Sequence, residues 1–177
     1  MIATRFALAA ALALSAVPAS AMDLKSGDVA EGASFPASEI CSRYGGSDIS
    51  PALSWSGVPA KAKSLAITMF DPDAHGAGWW HWVLVGIPAS TTALTQGAGS
   101  GKAALPAGAI HLNNSNGDAH YGGPCPPAGS GLHHYQITLW ALPDKPSLDA
   151  GMKPADVGSY MEKHSLAQAR ITPVEQK

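Results

Sequence analysis

The stretch "SLAITMFDPDAHGAGWWHWVLVGI", from Ser64 to Ile87, decides the fold. It contains two runs rich in β-branched and aromatic residues, Ser64–Phe70 and His81–Ile87, and each is bounded by Gly, Pro or Asp. This composition and these boundaries are typical of β-strands. The residues between the runs show no helical pattern, which favours antiparallel strands over alternating strands and helices.

The same pattern continues along the chain. A third clear strand candidate is Tyr135–Leu142, and weaker candidates are Ser34–Phe35, Ala52–Trp55 and Ala109–Leu112. The connections are rich in Gly and Pro, as expected of turns and loops. We therefore predict a mainly all-β domain, an antiparallel β-sandwich, and we expect the tail 172–177 to fray.

One helix is predicted near the end of the sequence. Val157, Tyr160, Met161 and His164 follow the i, i+3, i+4, i+7 spacing of one helix face. Pro154 precedes them at a position suited to the first helical turn. We therefore predict a single helix behind the last clear strand.

The beginning of the sequence reads as an export signal. Arg5 supplies a positive charge, Phe6–Val17 is apolar, and the small residues Ala19–Ala21 form a cleavage site. We predict a signal peptide over 1–21, one mature domain over 22–177, and a periplasmic or secreted location. The apolar run is a poor membrane span, and no later segment approaches the roughly 20 apolar residues that a transmembrane helix needs.

The two cysteines, Cys41 and Cys125, bear on the same compartment. An even number of cysteines in an oxidising compartment favours a disulfide bond. A pair of free buried thiols remains the alternative, because the sequence does not show how closely their Cα atoms approach.

The first cluster of polar residues lies at the turn between the first two strands. Asp71 and Asp73 flank Pro72 at the end of one strand, and His81 begins the next. If these strands are neighbours, His81 approaches the Asp71 carboxylate, and such an imidazole keeps its proton more readily and can hold an anion. In the alternative interpretation, the aspartates cap the turn and His81 only occupies a solvent-exposed position at the end of a strand.

The second cluster is "HYGGPCPPAGSGLHHYQITLWAL", from His120 to Leu142. Its three prolines remove conformational freedom, and its glycines permit unusual backbone angles and close approach of a ligand. On the following strand, His133 and Tyr135 share one face while His134 points to the other. This favours a rigid pocket wall, the alternative being a simple turn between two core strands.

Taken together, these clusters resemble the phosphatidylethanolamine-binding protein family, also called Raf kinase inhibitor-like proteins, in its exported bacterial branch. The matching stretches are "SPALSWSGVP" (Ser50–Pro59), "DPDA" (Asp71–Ala74), "WWHWVLVGIP" (Trp79–Pro88) and "YGGPCPP" followed by "HHYQITLWAL". The resemblance extends from about Ile40 to Ala169. It implies an antiparallel β-sandwich with a C-terminal helix and a small pocket for anionic groups. By motif, the ligand-binding residues are Asp71, Asp73, His81, Gly123, Cys125, Pro126, Pro127, His133 and Tyr135.

Two features depart from the family pattern. His75 stands where the family usually has proline after "DPDA". The segment "HLNNSNGDAHYGG" lacks the usual Asn-Asp-Phe-Gly approach to the loop and carries Asn113, Asn114, Asn116 and Asp118 instead. These departures concern ligand specificity rather than the fold.

The function implied by the resemblance is that of a non-enzymatic binding protein. Its pocket takes phosphate-like anions or phospholipid head groups, and its surface inhibits a partner kinase or protease. We expect His81, His133, the Tyr135 hydroxyl and loop N–H groups to donate to the anion, with Asp71 orienting an imidazole. Exported relatives of this type are often dimeric, so a homodimer is a further expectation.

Other function classes fit the sequence less well. The alternative is a hydrolase in which Asp71 and His81 act as an acid–base pair on water. The histidines show neither H-x-x-x-H nor H-E-x-x-H spacing, so we expect no metal site and no cofactor. The formal net charge of −2 lacks the basic footprint that nucleic acid requires.

Overall fold

The computed structural model describes residues 21–74, 76–149 and 151–177. Within these residues the chain forms ten strands and one α-helix, here numbered in chain order. They are β1 (Asp23–Ser26), β2 (Leu53–Ser56), β3 (Ser64–Asp71), β4 (Trp79–Pro88), β5 (Ala93–Leu94), β6 (Ile110–His111), β7 (His133–His134), β8 (Gln136–Leu142), α1 (Pro154–His164), β9 (Ala167–Ile171) and β10 (Val174–Glu175). The predicted signal peptide lies, apart from Ala21, outside the described residues. Across the described ranges, no helix has both the length and the apolar character needed to cross a bilayer.

The strands form three sheets in which every pair is antiparallel. The largest sheet has the order β6-β4-β3-β8-β9, a smaller one has the order β1-β2-β5, and β7 pairs with β10. The three clearest strand predictions correspond to β3, β4 and β8. The prediction of a mainly β, antiparallel fold with one helix is confirmed.

Both faces of the five-stranded sheet are covered, which explains its long apolar strands. Along β3, Leu65 and Ile67 belong to a core shared with Leu53 of the three-stranded sheet. Ala66, between them, belongs to a second core with Val157 of α1. Because alternate side chains point to opposite faces, a strand covered on both sides must be apolar at consecutive positions. Each large aliphatic side chain buried in this way contributes about 1.5–3 kcal/mol.

The predicted helix is present as α1, and it packs on the sheet through Val157, Gly158 and Met161. Pro154 occupies its first turn, where the missing N–H would have no partner within the helix. Gly158 is needed for packing, because a Cβ at this position would overlap the Trp80 indole.

The expectation that 172–177 frays is wrong. β10 pairs with β7, where Val174 lies opposite His134 and Glu175 opposite His133, and both β10 residues are buried. The Val174 N–H also donates to the Ala33 carbonyl over 2.9 Å. The tail therefore holds in place the short strand that carries His133.

Candidate functional site

A cavity of about 850 Å³ opens where β3, β4 and β7 meet the loops. Its floor contains four side chains from strand ends, namely Asp71, His81, His133 and Tyr135, the last at the junction of β7 and β8. The loop segment 121–127 and the segment 41–48 supply much of the wall. The cavity is larger than the small pocket predicted, so the polar floor occupies only part of it.

Most residues predicted from sequence lie in this one cavity. They are Asp71, His81, Gly123, Cys125, Pro126, Pro127, His133 and Tyr135. His81 and His133, which are far apart in sequence, therefore face the same space. Asp73 is not part of the wall.

The structure pairs Asp71 with His133, not with His81. The Asp71 carboxylate Oδ2 lies 2.7 Å from Nδ1 of His133, and both side chains are buried. The other oxygen, Oδ1, accepts from the backbone N–H groups of Asp73 and Ala74. The prediction that Asp71 and His81 form an acid–base pair is therefore wrong, because the turn after β3 directs this carboxylate toward β7.

The second ring nitrogen of His133 also has a partner. Its Nε2 lies 2.9 Å from the Ser130 hydroxyl, which itself lies 2.7 Å from the Pro127 carbonyl. Asp71, His133 and Ser130 thus form a continuous chain of hydrogen bonds. Ser130 was not predicted, since the exposed "AGSG" turn gives no sequence signal for a contact with His133.

His81 is held by the glycine loop. Its Nδ1 lies 3.0 Å from the Gly122 carbonyl, and the Gly122 N–H donates to the His81 carbonyl over 2.8 Å. A carbonyl only accepts, so Nδ1 carries the hydrogen, and Nε2 is left for the cavity. Burial lowers the pKa of His81 to about 4, although the Gly122 carbonyl and the Asp71 carboxylate oppose this shift. The ring is therefore neutral at physiological pH, with a lone pair on Nε2.

Tyr135 completes the floor. Its ring packs edge-on against His81, with centroids 5.1 Å apart, and stacks beside His133 at 6.4 Å. Its hydroxyl is buried and has no hydrogen-bond partner among the described residues. Burial, followed by the charges of Asp71 and Glu175, raises the pKa of Tyr135, although the Cys125 N–H acts in the opposite direction, so the hydroxyl keeps its proton.

The prediction that places Asp73 at the ligand is not supported by its position. Its Oδ2 accepts from both the backbone N–H and the Nδ1 of His134, each over 2.8 Å. Burial alone would raise the pKa of Asp73, but the bonds from His134 lower it. The two residues are half exposed and lie outside the cavity wall. Asp73 therefore fastens the turn after β3 to β7 from outside.

The glycine–proline loop also packs closely against a neighbouring part of the backbone. A Cβ on Gly123 would collide with the backbone of residues Glu39–Cys41, so this glycine permits two backbones to touch. The N–H groups of Gly122, Gly123 and Ser130 already donate to partners within the protein. These three N–H groups are therefore not free to cradle an anion, whereas the Cys125 N–H acts on the Tyr135 hydroxyl at the cavity floor.

Several bonds fasten this loop to the segment 41–48. Cys41 and Cys125 form a disulfide, with Cα atoms 5.4 Å apart, which confirms the predicted pairing over free thiols. The Cys41 N–H donates to the Pro124 carbonyl, and the Tyr44 hydroxyl donates to the Pro126 carbonyl. The cavity wall is thus cross-linked covalently and by hydrogen bonds.

Asp48 is a further wall residue that sequence reasoning missed. Its carboxylate accepts from the N–H of Gly123 over 2.9 Å and from the N–H of Ser42 over 3.1 Å, and its carbonyl accepts from the Ser100 hydroxyl. Its φ of 51° lies in the left-handed region that few residues other than glycine adopt. The sequence signal was the "GGSD" turn preceding a strand. Asp48 joins three loops around the cavity.

The mouth of the cavity is mixed in charge. Arg43 and Lys102 supply positive charges, Asp118 supplies a negative one, and Trp79, 38% exposed, supplies an apolar edge. In the unusual asparagine segment, the buried Asn114 side chain accepts from the N–H groups of residues 116 and 118. This turn presents Asp118 to the mouth.

His75, the other position at which the sequence departs from the family pattern, lies outside the described residues.

The chain is similar in sequence and in fold to proteins of one known family. The family model described as phosphatidylethanolamine-binding protein matches residues 25–175. The YbcL protein of Escherichia coli (strain K12) is 43% identical over 161 residues, covering 88% of this chain and 88% of the relative. The crystal structure of E. coli YbcL, described as a new member of the mammalian PEBP family, matches with a TM-score of 0.84 and 40% identity, covering 89% of this chain and 99% of that one.

Two further relatives extend the comparison. The structure of the phosphatidylethanolamine-binding protein homologue CT736 from Chlamydia trachomatis D/UW-3/CX matches with a TM-score of 0.75 and 30% identity, covering 89% of this chain and 98% of that one. LppC of Mycobacterium tuberculosis (strain ATCC 25618 / H37Rv), whose name classes it provisionally as a lipoprotein, is 37% identical over 142 residues, covering 80% of this chain and 66% of the relative. Both support the same fold assignment.

Proposed function

The chain belongs to the phosphatidylethanolamine-binding protein family, and from this premise we propose that it is a non-enzymatic binding protein whose cavity holds a phosphate-like anion or a phospholipid head group. The observation that carries the proposal is the buried Tyr135 hydroxyl on the cavity floor, which has no hydrogen-bond partner among the described residues. It lies beside His81, whose Nδ1 is bonded to the Gly122 carbonyl, and beside the bonded Asp71–His133 pair.

Unpartnered buried polar groups favour a polar ligand. A buried donor or acceptor left without a hydrogen bond costs about 1–3 kcal/mol. A ligand that bonds to the Tyr135 hydroxyl removes this cost, and a bond to His81 would add to its affinity. Hydrogen bonds to a charged group contribute about 1.5–3 kcal/mol each, so we expect a dissociation constant in the millimolar to micromolar range.

Isothermal titration with inorganic phosphate and with phosphoethanolamine tests the proposal. We expect saturable binding to the wild-type protein and at least a tenfold loss in His81→Ala. The matched control is His134→Ala, since this exposed histidine lies outside the cavity, and it should bind as the wild type does. Absence of binding to the wild type, or equal binding to both variants, would refute the proposal.

One observation favours a second candidate function, the hydrolysis of an ester. The chain Ser130–His133–Asp71 has the connectivity of a serine nucleophile, its base and the residue that orients the base. This replaces the Asp71–His81 pair considered in the sequence analysis. Two features support binding over hydrolysis: the single Ser130 proton also faces the Pro127 carbonyl, and Ser130 is not part of the cavity wall.

A fluorophosphonate probe separates these two functions. If Ser130 is a nucleophile, its oxygen bonds to the probe phosphorus as fluoride leaves, and mass spectrometry finds the adduct on this residue. Ser130→Ala would then lose both the adduct and any turnover of aryl esters. For a binding protein we expect neither labelling nor turnover.

The remaining parts of the proposal concern location and partners. We propose that residues 1–21 are removed as a signal peptide, that 22–177 forms one domain, and that the protein is periplasmic or secreted. The Cys41–Cys125 disulfide and the name of the LppC relative support export. Intact mass measurement of protein purified from the periplasm tests the cleavage. Inhibition of a partner kinase or protease, and a homodimer, rest on the family resemblance alone and stay predictions.

A further inference from the structure

A second, smaller recess lies behind the cavity floor, on the face of the five-stranded sheet that α1 packs against. Its volume is about 120 Å³. Three of its lining residues each adjoin a cavity-floor residue in sequence, namely Phe70, Trp80 and Gln136. Because successive side chains of a strand point to opposite faces, the same strand ends supply the cavity on one face and the recess on the other. The two sites are therefore separated by the sheet.

The wall of the recess is aromatic. The rings of Phe70 and Trp80 have centroids 4.5 Å apart, and both side chains are half-buried. The buried Trp140 also lines the recess, and its indole N–H donates to Oγ1 of Thr68 over 2.9 Å. Trp140 therefore presents ring surface rather than a free donor to a ligand.

Opposite charges border the recess from two different elements. Arg170 of β9 is anchored, because its Nε donates to Oγ1 of the buried Thr138 over 2.8 Å. Glu162 comes from the last turn of α1. Within the described ranges, the Nη groups of Arg170 and the Glu162 carboxylate pair neither with each other nor with any other side chain. Opposite charges that border one space without pairing are complementary to a ligand that carries both charges.

The volume restricts this ligand to a few atoms. Pockets for drug-sized ligands occupy roughly 300–1,000 Å³. One water molecule takes up about 30 Å³ of the liquid, so the 120 Å³ of the recess corresponds to roughly four water molecules. This is the size of the smallest amino acids, and it is too small for a lipid or an intact sugar ring.

We propose that this recess binds a small free α-amino acid such as glycine, whose carboxylate pairs with Arg170 and whose ammonium pairs with Glu162. The planar guanidinium offers parallel donors to a carboxylate, and the bond to Thr138 already fixes its orientation. The aromatic wall attracts the ammonium, because ring faces are electronegative. The side-chain amide of Gln136, which has no partner in the part of the chain that the structure describes, supplies a further donor and acceptor.

The experiment is NMR titration of the intact protein with glycine, followed through the indole N–H of Trp80 and the Nε–H of Arg170. Both charged residues are exposed, and exposed ion pairs are weak, so we expect saturable shifts with a dissociation constant in the millimolar range. N-Acetylglycine lacks the ammonium and glycinamide lacks the carboxylate, so each should bind about fivefold more weakly than glycine. Glucose should give no saturable shift.

Variants assign each charge of the ligand to its residue. Arg170→Gln should weaken glycine about fivefold but leave glycinamide unchanged, since glycinamide has no carboxylate to lose. Glu162→Gln should weaken glycine to a similar extent and leave N-acetylglycine unchanged. The matched control is Lys163→Gln, because this exposed residue lies on the same turn of α1 but outside the recess. It should bind glycine as the wild type does, and thermal unfolding verifies that each variant is folded.

The outcomes separate this inference from the proposed function of the cavity. Shifts centred on Trp80 and Arg170, with the stated pattern of analogues and variants, support the amino-acid site. The inference is overturned if glycine gives no saturable shift, if either analogue binds as tightly as glycine, or if the largest shifts fall on His81 or His133 in the cavity. Equal weakening in Lys163→Gln overturns it as well, since it would reveal a general effect of surface charge. None of these results bears on phosphate binding in the cavity.

Discussion

The adjacent glycines Gly122 and Gly123 should differ strongly in how much stability they lose on substitution by alanine. In Gly123→Ala, the new Cβ would lie 2.6 Å from the Ile40 carbonyl carbon and 2.7 Å from the Cys41 nitrogen, and it would overlap the Glu39 carbonyl oxygen. In Gly122→Ala, the nearest atom is 3.6 Å away, which is an ordinary contact, and the φ angle is not in the left-handed region. In Gly123→Ala the loop backbone must move away from residues 39–41. In Gly122→Ala no neighbouring atom needs to move.

The magnitude for Gly123→Ala follows from two losses. Forcing a methyl group into a filled space costs about 1–3 kcal/mol. Separation of the backbones also breaks the charge-assisted bond from the Gly123 N–H to Asp48, which contributes about 1.5–3 kcal/mol. We expect a destabilisation of about 3 kcal/mol or more, and a fall in Tm of roughly 6–12 °C for a domain of this size.

The assay is urea and thermal unfolding of both variants beside the wild type under oxidising conditions. Gly122→Ala should lie within about 0.5 kcal/mol of the wild type, or be slightly more stable because alanine restricts the unfolded chain. A Gly123→Ala variant as stable as the wild type would show that the loop does not rest on the segment 39–41. Equal destabilisation of both variants would show that the loop tolerates no side chain anywhere, and would also refute the reasoning.

Three further predictions concern stability. Gly158→Ala should destabilise the protein by about 1–3 kcal/mol in chemical unfolding, because the methyl group meets Trp80, although alanine favours helices by about 1 kcal/mol. Replacing Cys41 and Cys125 together by alanine should cost about 2–4 kcal/mol, and a reductant should then no longer lower the Tm. Burial, with the Asp28 charge, raises the pKa of Glu39 to about 7, so the folded state binds this proton more tightly and stability should fall as pH rises from about 4.5 to 7. Glu39→Gln should remove that slope in unfolding measured across this range, and should be on the order of 2 kcal/mol more stable than the wild type at pH 8.

Controls and contrary results for these three predictions are simple. Ser159→Ala, on the exposed side of the same helix, should be nearly neutral, and Gly158→Ala behaving likewise would contradict the packing on Trp80. A wild type whose Tm is insensitive to reductant would contradict a stabilising disulfide. An unchanged pH slope in Glu39→Gln would place the titration elsewhere.

The strands could be predicted from sequence where burial on both faces made them apolar throughout. β3, β4 and β8 have this property. β1 and β9 do not, because their side chains alternate between core and surface over only four or five residues. The short β10 could not be predicted, because its partner, β7, is two residues long and is not recognisable from composition. Pairing between such short strands depends on tertiary contacts that no local pattern records.

The residues that form the site were easier to predict from the sequence than the hydrogen bonds between them. The two-residue period placed His133 and Tyr135 on one face and His134 on the other, as the structure has them. The same reasoning failed across the turn after Asp71, where the strand period ends and a rigid proline redirects the chain. Asp71 therefore reaches His133, while Asp73 points outward to His134. The two-residue period of a strand could be predicted from the sequence, whereas the geometry of the turn after Asp71 could not.

The cavity is built from two kinds of backbone, and they should differ in both dynamics and evolution. Asp71, His81 and Tyr135 sit at the ends or junctions of strands in or beside the doubly covered sheet, whose amides should exchange with solvent only on global unfolding. Arg43, Lys102 and Asp118, which carry the charges at the mouth, lie outside the strands, where sequence can change at little structural cost. Mutations at the mouth could therefore change which ligands enter the cavity, while the polar side chains on its floor stay the same.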